Sequence, residues 1–459
     1  MEPFTAMSDT NDFLPGDILE MARDACRAAT AAGADMAEAY LQSERVITVT
    51  VENNQLRGSE EKEDPGFCVR ATKKGATGYA RGMGLDADPV RRAGADAAAM
   101  AAAAEPDPRL GPLPSPGDIP SVPGLYDDAL AALGAADVIP WAAECIEAAR
   151  QTRDGVALKA DVTIVSGWTA VANSLGVAAA ARHTFASIAV FPVIRVEDEA
   201  GSYYDYTAAR RLADLENHRE LTEKTTRKAA SFLGARKIKS GSMPVALGPM
   251  AAASFLGAVC GAADGDSIVH GRSFLCGKKG QAIAPEFLTV TETPLAQAGL
   301  NSERFDAEGH PRSNRPLIER GVLTGYLHNA ATAALAGEPL TGNAQRSGYM
   351  SGVGIGISNM SCAPGGAPEA GLVGSIKHGL YVDMGSLAPN MVSGAVSGTV
   401  VCGYIIENGA FTAPVSNAMI GGDIFDLLMS IEAASSDGRS MPGNFMPSLL
   451  LRGVAVAGA

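Results

Sequence analysis

The sequence predicts an α+β fold in two unlike parts: an N-terminal α/β domain with antiparallel strands and long helices over residues 1–240, and a β-rich C-terminal domain, coiled sheets or a sandwich, over residues 241–459. Three observations carry this reading. The first part alternates helix-period stretches with strand-period runs joined by tight turns. The second part is a succession of short, Gly-rich apolar runs bounded by turn residues. With 46% hydrophobic and 19% charged residues, the 459-residue chain has the composition of a globular protein that buries a sizeable core.

The elements follow in order. Asp17 is a suitable N-cap, Ile18, Met21, Ala25 and Ala29 recur at helical spacing, and Gly33 supplies a stop. Residues 45–51 alternate as a strand, Asn53-Asn54 makes a hairpin turn, and the chain returns from Gln55. Strands at 67–70 and 77–80 are joined across Lys73-Lys74-Gly75, and Asp86 then opens an Ala-rich helix that ends near Glu105. Seven prolines between Pro106 and Pro123 forbid helix or inner strand, so residues 105–124 form an extended connector draped over the surface and open to proteolysis. Beyond it come a helix at 138–150, strands within 161–206 and a charged helix at 212–233, with the domain boundary near Ser240-Gly241-Ser242. In the second domain, strands are expected at 352–357, 371–382, 392–406 and 449–456, and helices only at 249–263 and 422–434.

Charge and cysteine usage exclude several classes. A net charge of −14, from 37 basic and 51 acidic residues, argues against nucleic acid as a ligand. The basic run Arg236-Lys237-Ile238-Lys239 reads as a solvated helix end. The acidic start lacks the pattern of a signal peptide, and the longest apolar stretch, 93–104, is too short to span a membrane. Seven dispersed cysteines without a CxxC read as reduced thiols in a cytoplasmic protein.

Several segments, in this order and spacing, resemble the TldD/PmbA family, on its TldE/PmbA branch. They include Val51-Glu52-Asn53-Asn54, Gly66-Phe67-Cys68-Val69-Arg70, Asn173-Ser174-Leu175-Gly176 and the run from Asp266 to Leu275. Phe305-Asp306-Ala307-Glu308-Gly309, Leu317-Ile318-Glu319-Arg320-Gly321, Thr341-Gly342-Asn343-Ala344 with Arg346, and Ile406-Glu407-Asn408-Gly409 complete the set. The resemblance implies the same two-domain fold. It also implies, in the TldD branch, a His-Glu-x-x-x-His helix early in the second domain and a later Cys that together hold zinc, with the Glu as base.

That chemistry is missing here. From Pro244 to Asp266 there is no His or Glu, and the late Cys position falls at Ala434 or a neighbouring Ser. The six histidines, His183, His218, His270, His310, His328 and His378, do not cluster, and Asp264, Asp266 and His270 read as a Gly-rich surface loop. Ser254 and Cys260 lie on an Ala-rich helix without a neighbouring base. Candidate substrate or partner-cleft residues are Arg272, Asn343 and Arg346, whose amide and guanidinium groups suit a peptide carbonyl or carboxylate. The alternative reading of the latter two is a turn with one structural Arg, and the same alternative holds for Arg272. The expectation is therefore a subunit with no catalytic residue and no metal or cofactor of its own. A TldD-like catalytic partner would supply the zinc, and unfolded peptide would be the substrate. The rival reading is a homodimer that binds peptides without cleaving them.

Overall fold

The computed structural model describes residues 17–107 and 111–458. The acidic start up to Gly16, Pro108 and the capping side chain expected of Asp17 lie outside them. Helix α1 (Asp17–Ala31) leads into β1 (Met36–Glu52), β2 (Gln55–Lys73) and β3 (Ala76–Met83), followed by α2 (Ala87–Ala103). The expected hairpins are present: Asn53 and Asn54 take φ of 51° and 59°, and Lys74 and Gly75 take 50° and 80°, the left-handed pairs of tight two-residue turns. Strand β1 begins nine residues before the expected Arg45, because its first half, rich in Ala and polar residues, is stabilised by pairing on both sides with β2 and with β4 (Ala157–Asn173).

Helices α3 (Asp128–Ala131) and α4 (Ala135–Thr152) precede β4, and β5 (Ala178–Val196), β6 (Glu199–Ser202) and β7 (Asp205–Ala209) complete a seven-stranded antiparallel sheet. The charged helix expected from Leu212 is split. A short 3₁₀ turn covers Leu212–Asp214, and α5 (His218–Ala230) starts only where Asn217 caps the N–H groups of Arg219 and Glu220. Strand geometry then sorts β1 by parity. Odd residues such as Leu41, Ile47 and Val49 pack under the helices, whereas Glu38, Tyr40 and Gln42 point to the opposite face and are buried there by the second domain.

The connector is irregular, as its prolines require, but it is not loosely draped. Leu113 and Val122 are buried, Asn173 donates to the Pro114 carbonyl at 2.8 Å, and Arg304 donates to that of Pro120 at 2.9 Å. Its extended backbone exposes carbonyls that both domains cap.

The second domain is built on a closed barrel. Strand β8 (Gly241–Leu247) pairs with His378–Ser386, which pairs in turn with Ala395–Glu407, Ala418–Asp423 and Asn444–Gly458, and the last returns to β8. Helix α6 (Pro249–Gly261), opened by Pro249 at its first turn, packs into the barrel core. Two expected elements change here. Residues 371–382 are a short helix, Glu369–Gly374, followed by a strand, and residues 422–434 hold only the helix Ile424–Met429 before the strand Ile431–Met441. Further short helices, Gly265–Val269 and Ala330–Ala336, each begin at a capping side chain, Asp264 and Asn329, that only local geometry reveals. No described helix is long and apolar enough to cross a membrane.

Candidate functional site

Where the even-numbered face of β1 meets the second domain, a cleft of about 290 Å³ opens. Its floor is Tyr40, Gln42 and Glu44 from β1, with Thr169 from β4 and His183 from β5 beside them; its walls are the segments 302–307 and 344–348. The register explains the assembly. Gln42 lies opposite Thr169 on β4, and Glu44 lies opposite Gly167, which in turn faces His183 on β5. The Glu44 carboxylate takes His183 Nε2 at 3.2 Å, and the hydrogen bond from His183 holds Glu44 below the usual carboxylate range. On the wall, Glu303 accepts from the buried Arg312 at 2.6 Å. Burial, with Glu303 next in weight, pushes the Tyr40 hydroxyl well above the ordinary phenol range.

A buried charge network anchors the cleft at one end. Arg346 donates to Glu38 at 2.7 Å, and Arg70 donates to both Glu38 and Glu308 at 2.9 Å. Glu308 also accepts the Ala330 N–H at 2.8 Å. Burial alone would lower Arg70, but Glu38 and Glu308 outweigh it and raise its pKa, so the guanidinium stays charged. Asp306, next in the wall, accepts the N–H groups of Glu308, His310 and Ala344. Burial and the nearby Glu308 still push its carboxyl up to about 7.

The three residues singled out from sequence are placed differently. The Arg346 side chain lines the cleft yet is 0% exposed and committed to Glu38 and the Ser351 carbonyl. Asn343 is buried outside the cleft lining, donating to Glu292 at 2.8 Å and to the Gly356 carbonyl at 3.0 Å, with Arg315 on its oxygen. Arg272 is exposed and pairs with Asp266 at 2.6 Å, apart from the other two. Asp264 and Asp266 do not frame a loop site: Asp264 caps the helix Gly265–Val269, and His270 Nδ1 lies 2.8 Å from the Asp266 carbonyl.

Helix α6 presents a contrasting surface. Ala251, Ala252, Phe255, Leu256, Val259 and Cys260 are buried in the barrel core, in one cluster with Ala434. Burial pushes the Cys260 thiol up to about 12, the opposite of an activated thiolate. Its open side carries Ser254, Gly257 and Gly261. A Cβ at Gly261 would meet nothing within 4 Å, and one at Gly257 only Met360 Cε at 3.8 Å, so space for side chains exists there.

Three family models match in chain order: PmbA/TldA metallopeptidase domain 1 over residues 37–104, the central domain over 128–233 and the C-terminal domain over 240–458. The chain belongs to the PmbA/TldD metallopeptidase family. Its curated relatives include PmbA, in keeping with the TldE/PmbA branch. It is 28% identical over 256 residues to metalloprotease PmbA of Escherichia coli O157:H7, covering 56% of this chain and 54% of that one. With metalloprotease MJ0996 of Methanocaldococcus jannaschii it shares 28% over 225 residues, or 48% of this chain and 49% of that one. The chain thus spans about half the length of these curated relatives. TldE from Thermococcus kodakarensis superposes with a TM-score of 0.86 at 23% identity, covering 95% of this chain and 100% of that one. A Bacteroides thetaiotaomicron protein described as a candidate modulator of DNA gyrase gives 0.87 at 23%, covering 97% and 100%. At that identity the likeness shows the fold.

Membership in a metallopeptidase family raises the question of zinc, and the residues around α6 do not fit one. Zinc needs three or four His, Cys or carboxylate donors converging on one point. Helix α6 carries Cys260 alone, turned into the core, and Ala434 offers no donor atom. Among the described residues no group of three or more His, Cys, Asp and Glu stands close enough to hold a metal ion. No step through a metal follows for this chain. Sequence reasoning missed Tyr40, Gln42, Glu44, His183 and Glu303. The polar alternation of residues 38–44 was the available signal for the first three.

Proposed function

We propose that this chain is the non-catalytic, TldE/PmbA-like subunit of a heterodimeric, cytoplasmic zinc metallopeptidase that degrades or matures unfolded peptides, with a TldD-like partner supplying zinc and hydrolysis. The observation that supports this best is α6, a helix in the metallopeptidase C-terminal domain with room on its open side and no His or Glu to fill it. The seven cysteines are all free thiols, in keeping with a reducing compartment. A second reading, a homodimer that binds peptides without cleaving them, draws support from the cleft, because its walls are complete within one chain.

The test is co-expression with a TldD-like protein carrying His-Glu-x-x-x-His. The chain alone should hold well under one zinc after dialysis against a mild chelator and should not cleave an unfolded peptide. The pair should form a stable complex that does cleave. Changing the partner's motif Glu to Gln should abolish cleavage and leave the complex intact. Stoichiometric zinc in the chain alone, or chelator-insensitive cleavage by it, would overturn the reading. Failure to bind the partner, with peptide binding retained, would select the homodimer.

A further inference from the structure

The cleft contains two buried polar side chains that the fold does not use. Tyr40 and Gln42 are only 6% and 7% exposed, and both line the cleft. Among the described residues neither the phenolic hydroxyl nor the side-chain amide has a hydrogen-bond partner. Neither the Tyr40 hydroxyl nor the Gln42 amide is among the side-chain atoms sealed from solvent, so the two largely buried side chains open their polar ends into the cleft, where they are available to what enters it.

The charged groups around them decide what that is. The cationic side chains of the lining are engaged: Arg346 on Glu38, its remaining Nε unpaired among the described residues but sealed from solvent and so out of reach of a ligand, Arg210 on the carbonyls of Gly299, Leu300 and Ser302, Arg304 on that of Pro120, and Arg182 over the Tyr126 ring at 3.5 Å. Asp306 is occupied by backbone N–H groups. The two remaining carboxylates each use a single oxygen, Glu44 Oε1 on His183 and Glu303 Oε2 on Arg312. Among the described residues nothing pairs with their second oxygens, and Glu303 is 53% exposed. What the cleft offers is therefore a set of acceptors, Glu44 Oε2, Glu303 Oε1 and the Tyr40 oxygen, with the Gln42 amide next to them on the same strand face. Such a set matches a primary ammonium, and an amide beside it matches an adjoining peptide unit.

We infer that this cleft binds the free amino terminus of a peptide, its α-ammonium held by Glu44, Glu303 and Tyr40 and its first peptide unit by Gln42. The ammonium follows from the cleft alone, whereas the choice of a peptide over a simple amine rests on the function proposed above. About 290 Å³ suits a terminal residue or two and not a longer segment.

The experiment titrates the full chain, without partner or zinc, with tetra-alanine amide, its N-acetyl form and propylammonium, by calorimetry. Tetra-alanine amide should bind, N-acetylation should weaken it by roughly tenfold or more, and propylammonium should bind more weakly than the peptide. Glu44→Gln and Glu303→Gln, each shown by thermal unfolding to be fully folded at the assay temperature, should each lower affinity several-fold, and Tyr40→Phe by less. Equal affinity for the acetylated peptide, no binding of the free one, or indifference to both Gln variants would overturn the inference. Equal binding of propylammonium and tetra-alanine amide would overturn the assignment to a peptide end. Because no partner is present, none of these results bears on whether the chain pairs with a catalytic subunit.

Discussion

Helix α6 and the inter-domain cleft are both lined by residues of the second domain, and they are built on opposite terms. Around α6 every inward side chain is apolar, from Ala251 to Cys260, and the open side is Ser and Gly. In the cleft, carboxylates, guanidinium groups, a phenol and an amide are brought together by three strands and two loops, at a considerable desolvation cost. The chain has thus not lost polar construction in general. It lacks donors at one place while a four-residue charge network, Glu38, Arg70, Glu308 and Arg346, is fully buried beside another. Side chains at α6 stabilise the fold, and several in the cleft do not.

That contrast can be broken by truncation. Phe255→Ala, in the α6 core, should cost about 3–5 kcal/mol of unfolding free energy, because a large buried ring leaves a cavity. Gln42→Ala, also a largely buried residue, should cost less than about 1 kcal/mol, since no hydrogen bond to the described residues is lost. Urea unfolding measures both. A Gln42 variant as damaging as the Phe255 variant would mean that the cleft floor is core.

The two arginines expected to touch substrate sharpen it further. Arg346→Met leaves Glu38 buried with a single cation and should cost about 3–5 kcal/mol. Arg272→Met removes an exposed pair with Asp266, both more than half open to solvent, and should change stability by no more than about 0.5 kcal/mol. Equal effects would show that burial does not separate them.

How much of this was legible in the sequence follows from the range of the interactions. Helix α1, the turns at Asn53-Asn54 and Lys74-Gly75, and α2 rest on local chemistry, and sequence alone places them. The bareness of α6 was equally plain, since no alignment can supply a His or Glu that the segment does not contain. The cleft was not legible. Its floor and walls are more than a hundred residues apart in the chain, and only the sheet register brings Glu44 beside His183. The same limit hid the role of Arg346. Its partner Glu38 lies 308 residues away, so a structural ion pair could not be told from a substrate ligand. Barrel closure, made by the last strand returning to β8, is likewise a non-local pairing that short Gly-rich runs do not specify.

The smallest effect tests whether the cleft charges serve stability at all. The hydrogen bond from His183 depresses the Glu44 carboxyl in the folded state. Near pH 4 the unfolded chain therefore binds more protons at this residue, and stability rises with pH there. The contribution is fully present above the unfolded value of about 4.3 and is lost as pH falls through the lower folded value. Because Glu44 is about a third exposed, solvent screening limits the pair to about 0.2–1 kcal/mol. Glu44→Gln should thus be less stable than the parent by that amount at neutral pH, and the gap should close in acid and shrink in high salt. Urea unfolding of both proteins across that range reads it directly. A gap that stays constant with pH would mean that Glu44 acts through packing. A gap that closes, in a variant that has also lost affinity for the free amino terminus, would separate a weak contribution to stability from a larger one to binding, which is the division the cleft geometry implies.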